Sequence, residues 1–164
     1  MAKTTQTHGK YKGVLVSKTD TRKLYQSLKI KRKELIAHIV KQFSYIGEAC
    51  IKIARESGDY NDITGNLRSS IGYVILVDGE VKVHGATKQY SGKQGNGAQG
   101  VAEGQALLTG LPSKFPWGVV LIVCAGMEYA AYVENVRGKN VLASAELEAE
   151  RLLNKLLKGY ITPQ

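Results

Sequence analysis

The chain has 164 residues, 43% of them hydrophobic and 23% charged, which is the composition of one ordinary globular domain able to bury a core without disulfides or metals. The longest apolar run, Val119 to Ala125, has seven residues, too short for a membrane span. Val14-Leu15-Val16 is likewise too short for a signal-peptide core, so a reducing cytoplasm is the expected compartment of synthesis. The net charge of +9 is uneven. Residues 1–41 carry eleven Lys/Arg against Asp20 and Glu34, which already sums to +9, and residues 42–164 carry twelve of each sign. Such an arm suits phosphate or an acidic protein surface, or is a solvated leader.

In chain order, residues 1–18 read as a flexible basic arm, within which Gly13 to Ser17 could form a short edge strand. Thr19-Asp20-Thr21 supplies helix-capping side chains. Leu24, Leu28, Lys31 and Leu35 follow at helical spacing, and the apolar stripe continues through Ile36, Ile39, Val40, Phe43, Ile46, Cys50, Ile53 and Ala54. Ser57-Gly58 ends this long helix, which either runs unbroken from residue 20 or breaks near Lys29 to Lys33. Thr64 is placed to cap one helical turn through Leu67 and Arg68. Gly72 to Val77, the turn Asp78-Gly79 and Glu80 to His84 then spell a β-hairpin.

Residues 85–118 hold eight of the eighteen glycines and two of the three prolines, and are expected to form a long, mobile loop. Its grouped apolar residues, Leu107, Leu108, Phe115 and Trp117 among them, suit docking on a partner. Gly95-x-Gly97-x-x-Gly100 matches a dinucleotide-binding turn by letter only. That turn must follow a strand and open a helix, and neither context is expected here.

Val119 to Cys124 reads as a central strand covered on both faces. Tyr129, Tyr132, Val133 and Val136 could share a face of a short helix. The last helix has Ser144 as expected N-cap, an apolar face of Ala145, Ala149, Leu152, Leu153, Leu156 and Leu157, and Gly159 at its end, with 160–164 as a tail. The fold class is α+β: a long N-terminal helix and a C-terminal helix packed on a small, mainly antiparallel sheet, with a long Gly-rich loop, in one domain over 19–159.

Chemistry finds little purchase. Ser69-Ser70 lie in no nucleophile elbow, the three histidines and Cys50 and Cys124 have no metal-ligand spacing, and Glu128 and Glu134 flank tyrosines on a short helix. Neither enzyme activity nor a cofactor is expected.

Two segments resemble one family. "TGNLRSSI" (64–71), leading into a strand, and "MEYAAYVEN" (127–135), following one, resemble the paired motifs of the tail-completion, or head–tail joining, proteins of long-tailed bacteriophages. The similarity spans roughly residues 32–158 in order, with close matching confined to the two motifs. The aromatic-Gly-Thr and Arg-Pro-Phe-type segments of that family are replaced here by Asn135-Val136-Arg137-Gly138 and Val141-Leu142-Ala143-Ser144.

The resemblance implies a structural virion protein that forms a homo-oligomeric ring at the neck, between the portal and its adaptor and the tail, with no membrane partner, assembled in the host cytoplasm. It implies a subunit boundary near Thr64, Gly65, Leu67, Arg68, Ile71, Tyr129, Tyr132 and Glu134. For each, a role within the subunit stands beside it: turn formation for Thr64 and Gly65, core packing for Leu67 and Ile71, an ion pair for Arg68, and packing beneath the last helix for the others. Lys10, Lys12, Lys18, Arg22, Lys23, Lys29, Lys31, Arg32 and Lys33 would face channel DNA or an acidic neighbour. The alternative is a basic nucleic-acid-binding protein acting through the arm.

Overall fold

The computed structural model describes residues 6–7, 14–15 and 20–161. The chain divides into two compact units, residues 1–38 and 39–164. In the first, β1 (Gln6–Thr7) pairs antiparallel with β2 (Val14–Leu15). Helix α1 (Thr21–Glu56) is continuous, so its residues 21–38 belong to the first unit and 39–56 to the second. Asp20 caps it: Oδ1 accepts the Arg22 and Lys23 amides at 3.1 and 3.3 Å. Residues 21–35 are exposed throughout, so the Leu24–Leu28–Leu35 part of the expected stripe is unburied.

The second unit is built on a three-stranded antiparallel sheet of order β4-β3-β5: β3 Ile71–Val77, β4 Glu80–His84, β5 Val119–Ala125. Asp78 and Gly79 both take positive φ, 50° and 81°, the geometry of the tight hairpin turn their identities demand. The β3–β4 register shifts between Ile75 and Leu76, whose partners are Val83 and Val81, leaving Lys82 as the extra residue.

The central strand is β3, which is buried along its whole length, whereas β5 lies at the edge. The expectation that Val119 to Cys124 is central is therefore corrected. Its unbroken apolar run has another cause: Val119, Leu121, Val123 and Ala125 face one core and Val120, Ile122 and Cys124 face a second. An edge strand sandwiched on both faces spells the same pattern as a central one.

The larger core joins Ile71, Tyr73 and Ile75 to Ile46, Cys50, Ile51 and Ala54 of α1 and to Ala145 and Leu152 of helix α5 (Ala143–Ile161). Tyr73 is its largest fully buried side chain; the hydroxyl donates to Glu48 Oε1 at 2.9 Å, and burial followed by that carboxylate raises its pKa. The Cys50 thiol donates to the Ala145 carbonyl at 3.4 Å. Burial raises the pKa of both free thiols, pushing Cys124 up to about 11, so both are protonated and unreactive at neutral pH.

The other core holds Val74, Leu76 and Leu108. Leu108 comes from α3 (Ala98–Gly110), a thirteen-residue helix inside the stretch expected to be a loop. A short 3-10 turn, Pro112–Lys114, follows it. Gly97, with φ 74°, sits at the N-cap of α3, so the glycine pattern does open a helix, contrary to expectation. It still does not follow directly on a strand, since β4 ends at His84.

The glycines serve close packing. A Cβ on Gly100 would lie 2.7 Å from the Asn66 Cα and nearer still to its carbonyl oxygen. On Gly104 it would lie 2.6 Å from the Ser70 carbonyl oxygen, and on Gly126 2.5 Å from the Gly104 Cα. Contacts with backbone cannot yield as a side-chain tip does, so only glycine fits this face.

Candidate functional site

The first motif forms a tight turn, α2 (Asn66–Ser69). Gly65 precedes it at φ 78°, and Asp62 caps it, Oδ1 and Oδ2 accepting the Leu67 and Arg68 amides at 3.3 and 3.0 Å. Thr64 contributes a weaker cap, its Oγ1 accepting the Asn66 amide at 3.3 Å. Ser69 and Ser70 are buried, and both hydroxyls are committed to backbone: Ser69 donates to the Gly65 carbonyl at 2.6 Å and Ser70 to the Leu67 carbonyl at 2.8 Å. Neither is poised as a nucleophile.

The second motif begins just after β5 and covers helix α4 (Ala130–Asn135). Met127 and Ala130 are buried, while Tyr129 and Tyr132 are exposed. Glu134 turns inward to the next helix: its Oε1 accepts the Leu142 and Ala143 amides at 3.0 and 2.7 Å. A carboxylate on the first free amides of α5 satisfies both hydrogen bonding and the helix dipole. Asn140 Oδ1 accepts the Ser144 amide at 3.0 Å, so Ser144 lies inside the helix rather than at its expected N-cap position. Glu134→Ala is expected to cost about 1 kcal/mol of stability, measured by urea unfolding, as the loss of a helix cap does.

The two motifs converge on one open groove of about 790 Å³. Thr64, Asn66 and Leu67 line one wall and Met127, Tyr129 and Val133 another. Gln99 and Glu103 of α3 close a third side. Asp62, Glu103 and Glu128 put negative charge on the lining, and Arg137 and Lys139 positive charge. Lys139 is already engaged by Asp59 at 3.4 Å, and Arg137 lies 5.7 Å from the Tyr132 ring centroid. The Asn140 amide, followed by Lys139, holds the Asp59 carboxyl below its ordinary pKa. A surface of mixed charge and apolar side chains suits an extended polypeptide.

The other candidate residues lie elsewhere. Ile71 is core, and Arg68 stacks within cation–π distance of Tyr60 and Tyr90 in place of the ion pair weighed for it. Leu108, expected on a docking loop, is 4% exposed and belongs to the core; Leu107 and Phe115 are each 38% exposed and Trp117 82%. Arg22, Lys23, Lys29, Lys31, Arg32 and Lys33 are exposed on α1, with Lys31 paired to Glu34 at 2.8 Å. Lys10, Lys12 and Lys18 lie outside the described residues.

Sequence reasoning missed Arg55 and Tyr90. Arg55 sits at the end of an amphipathic stripe as any solvated arginine would, yet it is buried. Among the described residues no His/Cys/Asp/Glu cluster has the makings of a metal site, and no helix is long and apolar enough to cross a membrane. Comparison with protein-family models, with curated proteins and with solved structures returns no match.

Proposed function

We propose that this chain is a structural subunit of a bacteriophage neck, a ring component that joins the DNA-filled head to the tail. The supporting observation is the convergence of residues 64–67 and 127–133, remote in sequence, on one exposed groove. Around it, the Ser69 and Ser70 hydroxyls, the Glu134 carboxylate and both oxygens of the neighbouring Asp62 are spent on helix caps and turns. A surface of this kind binds rather than reacts. In this reading the groove receives a segment of the adjacent subunit, Tyr129 lies at the boundary, and Trp117 meets another component of the neck.

Electron microscopy of lysates from a phage or prophage deleted for the gene tests the proposal. Filled heads alongside separate, finished tails are the expected result. Intact, infectious particles overturn it.

A second reading, nucleic-acid binding, draws on the exposed cations of α1, of which Lys31 is paired to Glu34. It predicts affinity for DNA that falls steeply as salt rises. Salt-independent or absent binding by the purified protein removes it.

A further inference from the structure

Three cations surround one aromatic ring in the second unit. The Arg55 and Arg68 guanidinium carbons lie 5.8 and 5.6 Å from the centroid of Tyr90, and Lys88 Nζ lies at 5.0 Å. None of the three forms an ion pair with a described carboxylate. The nearby acid in sequence, Asp62, spends both oxygens on the Leu67 and Arg68 amides.

Arg55 is 6% exposed. Its Nη2 donates to the Ile71 and Ala86 carbonyls at 2.6 and 3.2 Å, while its Nε is buried without an acceptor. The Arg68 Nε is buried without an acceptor as well. Buried charges are ordinarily paired, and buried N–H donors ordinarily bonded, because leaving either unmet carries the full desolvation cost. Cation–π contact with Tyr60 and Tyr90, together with the Tyr60 hydroxyl beside Arg68, offsets part of that cost and leaves both Nε donors unmet.

We infer that the Arg55–Arg68–Lys88 cluster at Tyr90 is a binding site for a phosphate-type oxyanion. Phosphate fits better than a single carboxylate on two counts. It brings close to two negative charges against three positive ones, and it offers enough oxygens to meet several donors at once. The two arginines supply directional N–H groups and Lys88, exposed at the rim, supplies a mobile charge. The scaffold is fixed on both sides of the ring: Tyr90 donates its amide to Ser69 Oγ at 2.8 Å, and Gly65, with its positive φ, leaves room for the Tyr90 carbonyl. The inference stands independently of the neck assignment.

The test is a titration of the full chain with inorganic phosphate at constant ionic strength, with chloride as the control, followed by NMR of the arginine Nε–H groups. Phosphate is expected to shift the Arg55 and Arg68 resonances saturably and to raise Tm, and chloride to do neither. Arg68→Gln and, separately, Lys88→Gln should weaken phosphate binding about tenfold, as loss of a charge-assisted contact does. Lys88 is exposed and supports no backbone, so Lys88→Gln keeps the test open if the arginine variant misfolds. An absent shift, or an equal response from wild type and Lys88→Gln, overturns the site and leaves an adventitious ion only. A short DNA oligonucleotide that displaces phosphate from the same resonances identifies a nucleic-acid backbone as the source of the oxyanion; failure to displace it identifies the free ion.

Discussion

Gly100→Ala is expected to destabilise the protein by about 2 kcal/mol or more, read as a lowered urea midpoint with an unchanged slope. Two effects of opposite sign compete. Alanine is the better helix former by about 1 kcal/mol, which favours the variant. Against this, the new methyl would enter the space held by the Asn66 Cα, carbonyl carbon and oxygen, all backbone atoms of the capped turn α2. Overpacking of this kind costs about 1–3 kcal/mol and more where the neighbour is rigid. Asn66 is rigid because the Asp62, Thr64 and Ser69 hydrogen bonds fix the turn around it.

The clash therefore wins at Gly100. At Gly110, in the last turn of the same helix, no atom lies within 4 Å of the added methyl, so Gly110→Ala is expected to be neutral or to stabilise by about 0.5 kcal/mol. Equal effects at the two positions would mean that α3 is not seated on α2.

These same glycines explain what could and could not be read from the sequence. The hairpin was legible because Asp78-Gly79 encodes its turn in the backbone preferences of two residues, with the apolar run of β3 before it and the alternating β4 after it. Helix α1 was legible because its stripe is apolar over many turns. Helix α3 was not, for its buried face is Gly100, Gly104 and Leu108. A face whose contacts are backbone against backbone has no hydrophobic period to detect, and glycine counts against a helix in every propensity scale. Gly97 and Gly100 belong to the letter pattern of a nucleotide turn, Gly95-x-Gly97-x-x-Gly100, and Gly104 lies outside it, so the pattern does not mark the packing role of the α3 glycines.

The candidate site was partly legible in the same sense. The two motifs were identifiable as strings and do meet at one groove. The work of individual residues was not, since a glutamate that caps a helix eight residues later looks like any acid on a short helix until α5 is in place. Arg55 was hidden for a related reason: its acceptors, the carbonyls of Ile71 and Ala86, are backbone groups brought to it by the fold.

Leu108→Ala is expected to cost about 3 kcal/mol, within the range found for a buried leucine truncated in a core that cannot fully collapse. Leu108 packs against Val74 and Leu76 of the central strand, with the alternate residues of β5 closing the cluster. This second core is small, with three buried members, so no neighbour is large enough to refill the space. The cavity term is then close to its full value. Leu107, adjacent in sequence but turned outward, should change stability by less than about 0.5 kcal/mol when replaced by alanine. Trp117→Ala should be as mild for folding, because its side chain is largely solvent-facing. The contrast separates two roles within one stretch of chain: Leu108 holds α3 to the sheet, and Leu107, Phe115 and Trp117 are exposed. If the neck reading is right, Trp117→Ala particles lose infectivity at unchanged protein stability, whereas Leu108→Ala loses both together.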